Sequence, residues 1–197
     1  QEAMDCSDSW DNQDGANQGK RSSGRCGVDA GGNQQNRLPT GYDGSESILG
    51  RIKEVPLLRI LVLNGSPRSK GNTTRLVDAF ARGAREAGHT VQIEAVAKQK
   101  IHGCLACEYC HGKGNGTCIQ QDDMQALYPA IRNADMLVLA SPIYYYTMTG
   151  QLISALDRTY ALGRLTNIKK TALILSSGGP NMYEAPIAQY RGVIAWW

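Results

Sequence analysis

The sequence has no run of about 18 apolar residues, the length a membrane-spanning helix needs, and no apolar segment near its start of the kind a secretory leader carries. We therefore expect neither a membrane span nor export, and take the cytoplasm as the compartment. Dense Lys/Arg runs are missing too. The 21 basic and 18 acidic residues leave a formal charge of +3, too mild and too scattered for a nucleic-acid surface, so no nucleic-acid partner is expected. Position 1 is not Met, which points to a processed chain or a fragment. Residues 1–55 lack any sustained period of 2 or 3.6 and are rich in Gly, Asn, Gln, Asp and Ser. Such a segment cannot bury enough apolar surface to offset its ordering entropy, and we expect a disordered tail in which Cys6 and Cys26 are incidental.

What remains, residues 56–197, has room for one substantial core. "LLRILVLNGS", residues 57 to 66, is a continuous apolar run that stops at Asn64-Gly65, as a strand buried on both faces would. "NTTRLVDAFARGAREAGH" follows with Leu76, Phe80, Ala84 and Ala87 at helical spacing, Asn72 or Thr73 placed to cap its start and Gly88 to close its end. "TVQIEAV" alternates and suits a less buried strand; "DDMQALYPAIRNA" reads as a helix kinked at Pro129. "DMLVLASP" and "KKTALILSSGG" are two more buried strands, separated by a helix at "TGQLISALDRTYAL", and "EAPIAQYRGVIAWW" is a last helix. Strands alternating with helices predict a doubly wound parallel α/β sheet with helices on both faces.

The segment after the first strand, "NGSPRSKGNTT", feeds a helix N-terminus, where free backbone N–H groups and the positive dipole end receive anions. Ser66, Asn72, Thr73 and Thr74 add short donors, and Arg68 adds a charge suited to a phosphate dianion. The plainer alternative is a strand-to-helix turn with its cap. Gly65 and Gly71 are one residue too far apart for a Walker A loop, and Asn72 stands where its lysine would be. The G-x-G-x-x-G dinucleotide fingerprint is absent as well, since Gly65 is followed by Ser-Pro-Arg. A mononucleotide remains. After the next buried strand, "SPIYYYT" sets three tyrosines in a row on a loop; they suit a planar heteroaromatic ring, or they pack on the core or on a second copy of the chain.

"LNGSPRSKGNTTRL", "ASPIYYYTMTGQLISALDR" and "LILSSGG", in that order and each at a strand end, resemble the flavodoxin-like NAD(P)H-dependent FMN reductase family. The resemblance covers roughly residues 57–197 and implies a parallel sheet of order 2-1-3-4-5 with FMN at the switch point. By it, Ser66, Arg68, Asn72 and Thr73, with Thr74 beside them, cradle the FMN phosphate. Pro142, Ile143, Tyr144 and Tyr145 line the ribityl chain and flavin edge, and Ser177, Gly178 and Gly179 approach the ring. It also implies hydride transfer from NAD(P)H through FMN to a small electron acceptor such as a flavin or quinone, in a homo-oligomer, with no protein acid or base needed and hence no catalytic residue named. The fifth strand of such a sheet would have to lie beyond Trp197, so a C-terminally incomplete domain of order 2-1-3-4 is expected.

Four of the six cysteines fall in "CLACEYCHGKGNGTC", as C-x2-C-x2-C-x7-C at Cys104, Cys107, Cys110 and Cys118. Four thiolates on a compact loop suit a [4Fe–4S] cluster or a tetrahedral zinc, and buried thiols also pack as small hydrophobes; the spacing leaves the three open. The arrangement resembles the iron-sulfur flavoproteins, a branch of the same group with a compact cysteine motif just before "DDM". His102 and His111 flank the loop and read as exposed polar residues, with metal ligation the alternative.

Overall fold

The computed structural model describes residues 56–197. The tail, Cys6 and Cys26 lie outside the described residues. Four parallel strands form one sheet in the order β2-β1-β3-β4: β1 Arg59–Asn64, β2 Thr90–Glu94, β3 Met136–Pro142 and β4 Lys170–Ser176. Four α-helices connect and close them: α1 Asn72–Glu86, α2 Met124–Asn133, α3 Gly150–Arg158 and α4 Glu184–Trp196. Residue alternation splits the core in two. Leu61, Leu63, Leu137 and Leu139 point to one face with Leu127, Ile131 and Leu152, whereas Ile60, Val62, Val138 and Ala140 point to the other with Val77 of α1. Both faces of β1 and β3 are therefore covered, which is why their sequences run apolar without a break. A fully buried Leu, Ile or Val contributes about 1.5–3 kcal/mol.

Three local expectations are corrected. α1 begins at Asn72 with Gly71 as its N-cap and no side-chain cap, so neither Asn72 nor Thr73 caps it. Its buried line is Thr73, Val77 and Ala81, with Phe80 and Ala84 packed alongside; Leu76 and Ala87 face outward because the sheet meets the helix about one residue further round. β4 is half-buried rather than buried, since it is an edge strand of the sheet. The C-terminus of α1 closes at Gly88, as the sequence indicates: φ is +88°, with Gly88 N–H donating to Arg85 O and His89 N–H to Ala84 O. That pair of bonds is a Schellman closure. α2 continues through Pro129, whose ring lies on the exposed side.

At the amino ends of the strands, Asp135 gathers three of them. Its carboxylate accepts from the Arg59 amide (3.0 Å), from Arg59 Nε (2.9 Å) and from Lys169 Nζ (3.2 Å). Its own N–H donates to Arg59 O, and its carbonyl accepts from Lys169 N, each at 2.8 Å. The hydrogen bond from the Arg59 side chain, then those from the Arg59 amide and Lys169, hold the carboxyl well below the usual aspartate range. The folded value lies below the unfolded one, so this stabilisation is complete above about pH 4, the ordinary aspartate range, and is lost as the pH falls through the folded value. Asp135→Asn is expected to lower the thermal midpoint at neutral pH and flatten its decline in acid. An acid limb identical to that of the wild type would refute the assignment.

Candidate functional site

The turn from β1 into α1 is built around one carbonyl. Arg68 O accepts from Ser66 Oγ (3.2 Å), Thr74 Oγ1 (3.0 Å) and Gly71 N (3.0 Å), while Asn64 Oδ1 accepts from Ser66 N (2.9 Å). These bonds curl the backbone and leave the Arg68 guanidinium exposed, with no ion pair among the described residues. Space is tight for a side chain at Gly71 and closed to one at Gly65. A Cβ on Gly71 would stand 3.1 Å from Arg68 Cβ and 3.2 Å from Arg68 O, and one on Gly65 would stand 2.6 Å from Thr149 Oγ1. The first amides of α1 lack a capping side chain, so the helix offers its N–H groups and dipole to the cleft.

Three strand-end loops meet above this turn. Thr149 donates through Oγ1 to Gly65 O (2.9 Å) and through its amide to Ser141 Oγ (2.9 Å); Ile143 N–H donates to Ser176 O (2.8 Å). Thr73 and Ser176 share a hydroxyl hydrogen bond of 2.7 Å, joining α1 to the end of β4. Between them lies a cavity of about 450 Å³ lined by Ser66, Arg68, Gly71, Asn72, Thr73, Pro142, Ile143, Tyr144, Tyr145, Ser176, Ser177, Gly178 and Met182. Its size is that of a cofactor pocket. Of the residues singled out in the sequence, Thr74 and Gly179 do not line it. Thr74 holds the turn through Arg68 O, and Gly179 bonds Ser177. Gly71, Ser176 and Met182 line it unforeseen; Ser176 was within reach of a reading that began one residue earlier.

Tyr145 and Tyr146 occupy the middle of a two-residue turn, with φ of 49° and 65°, closed by Tyr144 N to Thr147 O (3.1 Å) and Thr147 N to Tyr144 O (3.2 Å). Positive φ at both central positions is the type I′ pattern, which Gly and Asn adopt far more easily than tyrosine. Strain of this kind costs on the order of 1–3 kcal/mol per residue and is kept where function uses it. Tyr145 is 96% exposed at the rim of the cavity, and Tyr146 does not line it.

The cysteines lie on the connection between β2 and α2. Cys110 and Cys118 are buried in the core, whereas Cys104 and Cys107 are exposed. Burial pushes the Cys110 thiol up, and neighbouring Cys118 and Cys104 add to the rise. Ala106 and Glu108, on either side of Cys107, have φ of 49° and 55°. Both histidines are exposed; His111 Nε2 lies 3.0 Å from Tyr160 O and its ring meets Tyr160 edge-on. Beneath the loop, Arg158 of α3 is 1% exposed and grips Asp122 bidentately, Nη1 to Oδ2 at 2.7 Å and Nη2 to Oδ1 at 3.1 Å. Burial pushes the Asp122 carboxyl up, but the bonds from Arg158 and the His102 amide outweigh it and hold the pKa below its ordinary value. Burial likewise raises the Tyr128 hydroxyl to about 12.

Arg158 Nε is buried without a hydrogen-bond partner, and such an orphan donor beside a thiol-bearing loop fits an anionic guest. So do the left-handed residues around Cys107, since a short loop wrapping a centre stores strain of this sort. Among the described residues, no three Cys, His, Asp or Glu side chains are gathered as a finished metal cage. The donor set and the loop fit a thiolate-bound group.

Residues 58–197 match the family described as NADPH-dependent FMN reductase. An iron-sulfur flavoprotein of Archaeoglobus fulgidus is 34% identical over 129 residues, covering 66% of this chain and 53% of that protein. Another, of Methanocaldococcus jannaschii, is 35% identical over 105 residues, covering 53% and 52%. The chain thus spans about half the length of the curated relatives it matches. Among solved structures, an NAD(P)H:quinone oxidoreductase from Methanothermobacter marburgensis superposes with a TM-score of 0.54 at 20% identity, covering 71% of this chain and 72% of that one. At that identity the likeness speaks for the flavodoxin-like fold. The match from the start of β1 to the end of α4 places the chain's membership: it belongs to the NADPH-dependent FMN reductase family.

Proposed function

We propose that the chain is an FMN-dependent oxidoreductase passing reducing equivalents from NAD(P)H to a small acceptor such as a flavin or quinone. The observation that carries this is the meeting of the β1, β3 and β4 loops around one cavity, whose lining includes a helix N-terminus, an arginine with no ion pair among the described residues, and two tyrosines. FMN, when bound, supplies the redox chemistry. The protein binds and orients. Ser66, Asn72, Thr73 and Arg68 hold the phosphate through hydroxyl, amide and guanidinium donors. Pro142, Ile143, Tyr144 and Tyr145 flank the rest of the ligand, while Ser177 and Gly178 close the third side. Thr74 and Gly179 shape the loops from behind. In this reading the enzyme works in the cytoplasm as a homo-oligomer, and the exposed tyrosine turn offers apolar surface to a second copy.

Protein loaded with FMN is expected to oxidise NADPH or NADH in the steady state when an acceptor is supplied. Arg68→Ala should weaken FMN binding by about 1.5–3 kcal/mol, the worth of a charge-assisted hydrogen bond, and leave riboflavin binding almost unchanged. Equal losses for both ligands would remove Arg68 from the phosphate site.

A second reading concerns the cysteine loop, and the C-x2-C-x2-C-x7-C spacing over the orphan Arg158 donor favours it. In it, Cys104, Cys107, Cys110 and Cys118 hold a [4Fe–4S] cluster, which would supply one-electron transfer. A structural zinc on the same thiols is the competing occupant. Protein prepared without oxygen should carry about four iron atoms per chain, with broad absorption that bleaches on reduction. Cysteine-to-alanine changes at any of the four should impair this, and at Cys6 or Cys26 should not. Iron-free protein after anaerobic supply of iron and sulfide, with zinc bound instead, would transfer the loop to the zinc reading.

A further inference from the structure

The loop from His102 to Asp122 carries every cysteine among the described residues, yet little regular structure holds it. Its two ends are held by one side chain from outside. Arg158 Nη1 donates to His102 O (3.0 Å) and to Asp122 Oδ2, while Nη2 donates to Gln120 O (3.4 Å) and to Asp122 Oδ1. Asp122 returns the grip: Oδ2 accepts from His102 N (3.0 Å) and Oδ1 from Met124 N (3.1 Å). Gln120 Nε2 to Gly103 O (3.0 Å) is a further stitch, and Gln125 Nε2 reaches both Cys118 O (3.2 Å) and Gln120 O (2.7 Å). The Arg158 carbonyl is anchored by the Tyr128 hydroxyl at 3.2 Å. Tyr128 shares its buried cluster with Cys110 and Cys118.

The side chains of Arg158 and Asp122 are only 1% and 6% exposed. A buried ion pair is a poor source of stability, because desolvation offsets most of its attraction and an apolar pair of like volume often does as well. What a planar, five-donor fork adds is register, since it can read two backbone segments and a carboxylate at once. We infer that Arg158 is the positioning residue of the cysteine loop. It fixes His102 against Gln120 and Asp122, so that the segments bearing Cys104 and Cys118 leave a common floor. One N–H, Nε, is left for an anionic acceptor on the loop. This rests on the reading of the four thiols as a ligand set.

The test uses the full chain, reduced and metal-free. In the wild type, iodoacetamide should modify Cys104 and Cys107 quickly and Cys110 and Cys118 slowly, as resolved by mass spectrometry. Arg158→Met combined with Asp122→Asn removes both charges and so avoids the lone buried carboxylate that Arg158→Met alone would leave. It should speed labelling of Cys110 and Cys118 by at least about tenfold through local opening, with FMN affinity unchanged. Cobalt(II) added alone should give thiolate charge-transfer absorption in the wild type and bind about tenfold more weakly in the double variant, the usual scale of an outer-shell loss. Arg158→Lys keeps the charge without the fork and should fail to restore either property. Unchanged protection of Cys110 and Cys118, a parallel loss of FMN binding, or full rescue by lysine would each overturn the inference. No cobalt–thiolate absorption in the wild type would strike the ligand reading alone, and the labelling pattern would still decide the role of Arg158.

Discussion

The parallel pairing of β1 with β2 on one side and β3 on the other is the constraint on which the rest depends. In register, Ile60 to Leu63 meet Val91 to Glu94 and Met136 to Leu139. A strand with both edges bonded and both faces covered has to end where its polar groups can be satisfied. For β1 that place is Asn64, whose side chain turns back to the Ser66 amide. β3 and β4 run the same way, so their loops open in the same direction, and the chain crosses from one sheet face to the other between β1 and β3. The cleft is thus a consequence of topology before any ligand chemistry is considered.

Helix α3 joins this cleft to the cysteine loop. Thr149, just before its first turn, hydrogen-bonds Gly65 and Ser141; Arg158, its last residue, holds His102, Gln120 and Asp122. Nine residues of helix span about 13 Å at 1.5 Å per residue. Leu152, Ala155 and Leu156 are buried between those ends, so the helix is a stiff strut seated in the core. Those close-packed side chains hold the helix in place, so a local opening of the loop at Arg158 need not reach Thr149. At the other end the backbone of Gly65 lies so close to α3 that a Cβ there would meet Leu152 Cβ at 2.8 Å.

Much of this was legible from residue order alone, for reasons that lie in single elements. "RILVLN" and "MLVLASP" announce buried parallel strands because both of their faces must be apolar, and "GSPRSKGNTT" announces the strand-to-helix turn proposed to receive a phosphate because the residues that shape it are contiguous. The three loops that line the cavity could be named because each follows a strand directly. Where only one residue's rotation mattered, the pattern misled: Leu76 faces outward while Thr73 and Val77 are buried, since the exact seating of α1 depends on the sheet it lies on.

The Arg158–Asp122 clamp had no such signal, because its partners sit 36 positions apart and "ALDRTY" reads as an ordinary helix end. The same holds for Ser176 against Thr73, 103 positions apart, and for Asp135 between Arg59 and Lys169. Order of elements, strand burial and the chemistry of contiguous loops follow from local composition and period, which the chain carries with it. Which cysteines are buried, which carboxylate meets which guanidinium and how three loops enclose one cavity are long-range coincidences. Only the packing of helices on a twisted parallel sheet decides them.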